Sequence, residues 1–287
     1  MSVADIYEKR ATFSFEVFPP KTDVGMEKLC GKDGVLDKLY TLEPDYISCT
    51  YGAGGTNVGK NLEVLDKIQK DGKCTPVTHF TCIGNTKEDI REKLQTYLDH
   101  GIDHMLALRG DLPFGWTGTN GDLHYATELV KFVRKEFGDK FTIAVAGSPE
   151  GHIACEDLNL SVEYLKQKQD AGASFFVTQL FFDNECFYRF RELADKAGIT
   201  VPITAGIMPF MGKSQISRMV FMCGASLPSP VIRILAKYEN DPESLQAAGV
   251  DYAARQLCDL KEHGADGLHL YTMNRPAIAA TIMERLR

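Results

Sequence analysis

Residues 12–20 read TFSFEVFPP, and this short run decides the fold. Its β-branched and aromatic residues favour an extended strand, and Pro19 and Pro20 end it. Alternation places Phe13, Phe15 and Val17 on one face and Ser14, Glu16 and Phe18 on the other. The apolar face should pack on helices. Glu16 then points into an interior, where an unpartnered carboxylate is costly. The plain alternative is a structural carboxylate held by an arginine or lysine inside the protein.

Working outward, runs of the same kind recur at YISCTY (46–51), PVTHFTC (76–82), HMLALRG (104–110), FTIAVAG (141–147), FFVTQLFF (175–182), PITAGIMP (202–209) and GLHLYT (267–272). Amphipathic stretches alternate with them, such as NLEVLDKIQK (61–70), KEDIREKLQTYLDHG (87–101), SVEYLKQKQDAGA (161–173) and FYRFRELADKAGI (187–199). The last three carry a glycine where a helix should stop. About 57 residues separate the last two strands, enough for more than one helix, with Pro228, Pro230 and Pro242 as punctuation. Eight strands alternating with helices predict an α/β protein, a single-domain (β/α)8 TIM barrel over residues 1–287. An open doubly wound sheet is the runner-up. It lacks the G-x-G-x-x-G fingerprint after the first strand. YGAGGTN (51–57) matches neither that spacing nor a P-loop and reads as a glycine-rich loop close to a ligand.

Composition narrows the function. The 287 residues are 44% hydrophobic, with a formal charge of -7 and a pI of about 5.6. No basic cluster exceeds two residues, which argues against nucleic acid. No apolar run approaches the ~20 residues of a spanning helix. MSVADIYEKR lacks the apolar core of a signal peptide, so a cytoplasmic setting without membrane insertion is expected. The eight cysteines contain no C-x-x-C pair and read as reduced thiols. His79 with Cys82 is the nearest approach to a metal site, and two ligands do not make one, so no metal is expected.

Barrel active sites lie at the C-terminal ends of the strands. Those ends carry Glu16, Thr50 and Tyr51, His79 and Thr81, Arg109, Gly110 and Asp111, Ser148 and His152, Gln179, then Tyr271, Asn274 and Arg275. Seven strand ends converge on one rim. Each residue has a plainer reading: a salt-bridged turn for Arg109-Gly110-Asp111, a satisfied core histidine for His79, a bond to barrel backbone for Gln179. Met208, Met211, Met219 and Met222 read as packing.

FSFEVFPPKT, SCTYGAGG, THFTC, LALRGDLP, VTQLFFD, GIMP and LYTMNR follow in this order. Over residues 12 to 284 they resemble the 5,10-methylenetetrahydrofolate reductases of the bacterial single-domain type. The resemblance implies a barrel carrying a flavin, FAD in preference to FMN. It implies ping-pong chemistry, in which NADH or NADPH gives hydride to flavin N5 and methylenetetrahydrofolate then receives it, yielding 5-methyltetrahydrofolate. Glu16 matches the general acid that opens the folate ring to an iminium. Asp111 matches a residue between flavin and folate. Gln179, Gln215, Tyr271 and Arg275 match folate contacts. Thr50, Tyr51, His79, Arg109, Gly110, Asp111, Tyr125, Ala126, His152 and Lys168 match flavin contacts, and Ser148 takes the place of another.

The chain departs from the pattern at three places. Ser148 stands where the family often has tyrosine, Ser161 where it often has aspartate, and Met219 where some members stack an aromatic ring on the nicotinamide. These departures motivate an alternative, a flavin-bearing subunit that takes electrons from a partner protein. The family's tendency to associate makes a homo-oligomer a further expectation. A metal-dependent methyltransferase barrel is a third rival and lacks the cysteine and histidine ligand set.

Overall fold

In the computed structural model, which describes residues 2–51, 58–112, 115–155 and 157–286, Thr12–Val17 forms strand β1 of a closed parallel barrel. The other strands are β2 (Tyr46–Cys49), β3 (Thr75–Thr81), β4 (His104–Leu108), β5 (Thr142–Gly147), β6 (Phe175–Thr178), β7 (Ile203–Ile207) and β8 (Gly267–Tyr271). Each pairs with the next in parallel, and β8 closes on β1 with Glu16 opposite Tyr271. All eight fall where the alternation predicts them. Except in β5, which ends at Gly147 as expected, their C-terminal ends come sooner, most clearly in β6, because the chain leaves the sheet to build the mouth.

The helices are α1 (Val3–Tyr7), α2 (Asp23–Cys30), α3 (Val35–Tyr40), α4 (Val58–Asp71), α5 (Lys87–Asp99), α6 (Ala126–Phe137), α7 (Leu158–Asp170), α8 (Asn184–Lys196), α9 (Lys213–Cys223), α10 (Ser229–Lys237), α11 (Pro242–Glu262) and α12 (Pro276–Leu286). Local chemistry fixes their ends. Thr86 and Asp89 form a capping box at the start of α5, and Gly101 turns the chain away after it at φ 75°. The long connection after β7 becomes three helices. Pro228 is the N-cap of α10, and Pro242 opens α11. Among the described residues no helix is long and apolar enough to cross a membrane.

Parity divides the core. Phe15 and Val17 are fully buried with Ile47, Phe80, Ile143, Phe176 and Leu270 between the sheet and the helices. Inside the barrel Tyr46, Val77, Leu106, Ala144, Phe175 and Val177 pack with Val3 of α1. The α1 helix plugs the lower end. Val3 N donates to His104 Nε2 at 3.1 Å, and the Tyr7 ring lies 5.2 Å from Phe175. A third cluster, including Leu180, Phe182, Met208, Phe210, Ile216 and Val231, seats α9 and α10 over the ends of β6 and β7. An apolar floor and a plugged base leave the polar side chains at the upper end. The glycine-rich loop lies outside the described residues beyond Tyr51, which is buried against Phe80.

Candidate active site

Glu16 points into the barrel, with a fifth of its side chain still accessible. Among the described residues neither arginine nor lysine forms an ion pair with it. Its neighbours are two histidines, His79 with Nε2 at 3.4 Å and His269 with Nε2 at 4.0 Å from Oε2. Burial alone pushes the carboxyl up to about 8. Burial also brings His79 down to about 4 and His269 down to about 3. All three groups are therefore uncharged near neutral pH, and the structural-cation alternative for Glu16 fails. His269 was not among the candidates. It shares its inward face with Tyr271 in GLHLY, so strand parity could have found it. Its Nδ1 lies 2.7 Å from Ser14 Oγ, and the Tyr46 ring stacks on it at 6.1 Å.

His79 is not a satisfied core histidine. Its Nε2 is buried without a hydrogen-bond partner, and so are Ser48 Oγ, Thr81 Oγ1 and Tyr51 Oη. Ser48 lies beside Glu16 in the β1–β2 register. Strand parity sets the orphaned atoms of His79, Ser48 and Thr81 in the same interior, where polar groups normally find partners, whereas the Tyr51 ring packs with Phe80 on the helix side of the sheet. Thr50 extends the β2 edge, with its N–H bonded to the Val17 carbonyl and its carbonyl to Asn61.

Arg109-Gly110-Asp111 is not a salt-bridged turn. Among the described residues neither charge has an ionic partner, and Arg109 Nε donates only to the Gly110 carbonyl at 3.1 Å. Gly110 sits at φ 94°, and a methyl there would lie 2.5 Å from Ile83 Cγ2, so the turn requires glycine. Lys168 of α7 reaches up to the Ala146 carbonyl at 3.1 Å, and burial brings its ammonium down to about 8. Partial desolvation, then the charges of Arg109 and Lys168, hold His152 below its ordinary value, while Asp111 opposes them. Arg109, Asp111, His152 and Lys168 thus converge from two loops and a helix. Tyr125, exposed, is the N-cap of α6, and Ala126 opens that helix. Ser148 begins the loop after β5. Ser161 accepts the His152 N–H at 3.2 Å, so it braces that loop from α7.

On the far side, Gln179 follows β6. Its Oε1 accepts the Leu180 N–H at 2.9 Å, and its amide protons have no hydrogen-bond partner among the described residues. Tyr271 Oη donates to the Thr178 carbonyl at 2.7 Å. Gln215 is engaged locally: its Oε1 accepts the Met211 N–H and its Nε2 donates to the Pro209 carbonyl. Arg275 is exposed and bonds Gln246 at 3.4 Å. Asn274 is a clamp: its amide bonds both the N–H and the carbonyl of Phe18, tying the end of β1 to β8. Met219 packs on the α9 cluster, whereas Phe221 is 82% exposed.

A parallel barrel whose open end gathers a protonated carboxyl, orphaned polar atoms and free cations belongs to the class of barrel enzymes that bind their ligands at the strand ends. Comparison with known proteins gives the family. The model of methylenetetrahydrofolate reductase matches residues 2–287, and the chain belongs to that family. It is 35% identical to 5,10-methylenetetrahydrofolate reductase of Pectobacterium carotovorum subsp. carotovorum, across 99% of this chain and 93% of that protein. The Salmonella typhimurium protein of the same name is 33% identical with the same coverage. Methylenetetrahydrofolate reductase (NADH) 1 of Arabidopsis thaliana is 35% identical over 96% of this chain but 48% of its own length, so the chain spans about half of such relatives. A Clostridium thermocellum protein of uncharacterized function, solved binding two copies of 5-methyl-5,6,7,8-tetrahydrofolic acid, shares the fold at TM-score 0.68. It is 15% identical and covers 98% of this chain and 95% of that one.

Proposed function

We propose that this chain reduces 5,10-methylenetetrahydrofolate to 5-methyltetrahydrofolate with Glu16 as the general acid. The observation that carries the proposal is a carboxyl kept protonated to about 8 by burial, with no lysine or arginine paired to it among the described residues. In the substrate a methylene bridges two nitrogens and is a poor hydride acceptor. A proton delivered to one nitrogen opens the ring to an iminium, which accepts hydride readily. Glu16 can hold that proton at neutral pH and release it when the developing amine contacts it. His79 and His269, both neutral, cannot trap the carboxylate form as a salt bridge, so the acid is regenerated.

A bound flavin, FAD in this reading, supplies the hydride relay from a reduced nicotinamide. The residues present fit such a group. Arg109, Lys168 and His152 would face its phosphates, with the α6 N-terminus at Ala126 nearby. His79 and Thr50 would meet the ring and ribityl oxygens, beside the orphaned His79 Nε2, Ser48 Oγ and Thr81 Oγ1, and Tyr51, whose ring packs on Phe80, would contribute its backbone. Asp111, free of an ionic partner, would lie between flavin and folate and tune the potential. Gln179 and Tyr271 would orient the folate. All eight cysteines are free thiols, consistent with a cytoplasmic setting. Purified protein that is yellow, bleaches with NADH under anaerobic conditions and regains colour with methylenetetrahydrofolate meets the proposal. A colourless chain that takes up no flavin sinks it.

A second reading is favoured by α9, where Met219 stands in place of a stacking ring and Phe221 is displayed to solvent. In it a partner protein supplies the electrons. Flavin bleaching by NADH in the isolated chain separates the two.

A further inference from the structure

The side of the mouth between Glu16 and Gln179 is built around a residue with no side chain. Tyr271 stands beside Glu16 in the β1–β8 register. Its hydroxyl does not bond within its own pair of strands but reaches the Thr178 carbonyl of β6, two strands away. To do so the side chain must cross β7, and the residue it crosses is Gly206. A methyl at position 206 would lie 2.5 Å from the Thr178 carbonyl oxygen, 2.8 Å from Tyr271 Oη and 2.9 Å from Tyr271 Cε2. None of those approaches is tolerated. Gly206 N donates to Thr178 Oγ1 at 2.9 Å, so the crossed strand is fixed to β6 at the same level. From the other side the His269 ring meets Tyr271 edge-on, with centroids 5.1 Å apart at 88°. The ring is thus tethered at its hydroxyl, backed by glycine and braced by a neutral imidazole. Tyr271 is half-buried, so part of it remains open to the mouth.

We propose that Gly206 is a positioning residue: the bare place on β7 lets Tyr271 lie across the barrel wall and form an aromatic face between the Glu16 proton and the Gln179 amide, selecting a flat heterocycle that bonds at both edges. The inference rests on the folate-reducing reading above. The Glu16-to-Gln179 span then sets the orientation in which the reducible ring must lie, and Gly206 acts on the reaction only through Tyr271.

The test uses the flavin-loaded full chain, reduced anaerobically with dithionite and mixed with methylenetetrahydrofolate in a stopped-flow instrument. Reoxidation over a range of substrate gives a Kd and a limiting rate. Tyr271→Phe cuts the tether and keeps the ring; Kd should rise about 3- to 10-fold, with a smaller change in limiting rate. Tyr271→Leu removes the aromatic face and should raise Kd by about tenfold or more. Gly206→Ala should match Tyr271→Leu, and combining the two should add little, because both act on one ring. Should Gly206→Ala fail to fold, the two Tyr271 variants carry the test. An unchanged Kd in both, with only thermal stability reduced, overturns the inference and leaves the folate reading intact. A wild-type chain that methylenetetrahydrofolate never reoxidises removes the folate reading and this inference with it.

Discussion

Replacing Glu16 by glutamine should remove a stability loss that wild type suffers as pH rises, while silencing one half of its chemistry. The carboxyl sits at about 8 in the fold against 4.5 in a free chain. Between those values the folded state holds a proton that the unfolded state has released, so wild-type stability falls as pH climbs through that window. The penalty is about 1.4 kcal/mol at pH 5.5 and about 3 kcal/mol at pH 7 before screening. A fifth of the side chain is accessible, and water there reduces the difference to about 1–2 kcal/mol between the two pH values. Glutamine has no such proton. The stability gap between Glu16→Gln and wild type should therefore widen by that amount from pH 5.5 to pH 7. Urea unfolding followed by circular dichroism, at fixed flavin concentration and both pH values, measures it. The same variant should still be bleached by the electron donor yet lose folate-driven reoxidation by about 10²- to 10⁴-fold. If the two unfolding curves shift in parallel with pH, Glu16 is already ionised and the acid assignment is wrong.

Wild-type reoxidation by methylenetetrahydrofolate should hold steady through neutrality and decline above about pH 8, as the proton leaves Glu16; a decline centred near pH 5 would remove Glu16 from the role. Lys168→Met and Arg109→Ala should each weaken flavin retention by about tenfold or more, read by ultrafiltration and absorbance, with the barrel's circular dichroism unchanged; full retention in both would place the phosphates elsewhere. Gly110→Ala should destabilise the chain by about 1–3 kcal/mol, since it meets Ile83 and a positive φ together; a melting temperature equal to wild type would show that the turn relaxes. Val3→Asp should loosen the plug at the barrel base and lower stability by more than about 2 kcal/mol, because it buries a charge among Tyr46, Val77 and Phe175; an unaltered urea midpoint would show that α1 is dispensable.

Much of this molecule is local in origin. Alternation in TFSFEVF sets Phe15 and Val17 against the helices and Glu16 inward, and the same period of two locates the other seven strands. Glycine and proline mark helix ends wherever they fall, as at Gly101 and Pro242. These features follow from the geometry of a few adjacent residues, so the chain displays them without its fold. What surrounds Glu16 is different. That its neighbours are His79 and His269, and not a lysine, depends on strands up to 253 positions apart in the chain. Burial of the acid, and hence its retained proton, is a property of everything packed around it. Arg109 and Lys168 become one cationic corner around His152 only when β4, β5 and α7 are side by side. Gln215 is a folate contact by resemblance alone, and only the fold shows its amide bonded to Met211 and Pro209 in the loop before α9. Gly206, in GIMP, gives no sign that a tyrosine from the next strand will lie across it. Short-range periodicity fixed which face each side chain takes; only closure of the barrel decided which charges, rings and empty places meet there, because desolvation and contact arise between segments that the sequence keeps far apart.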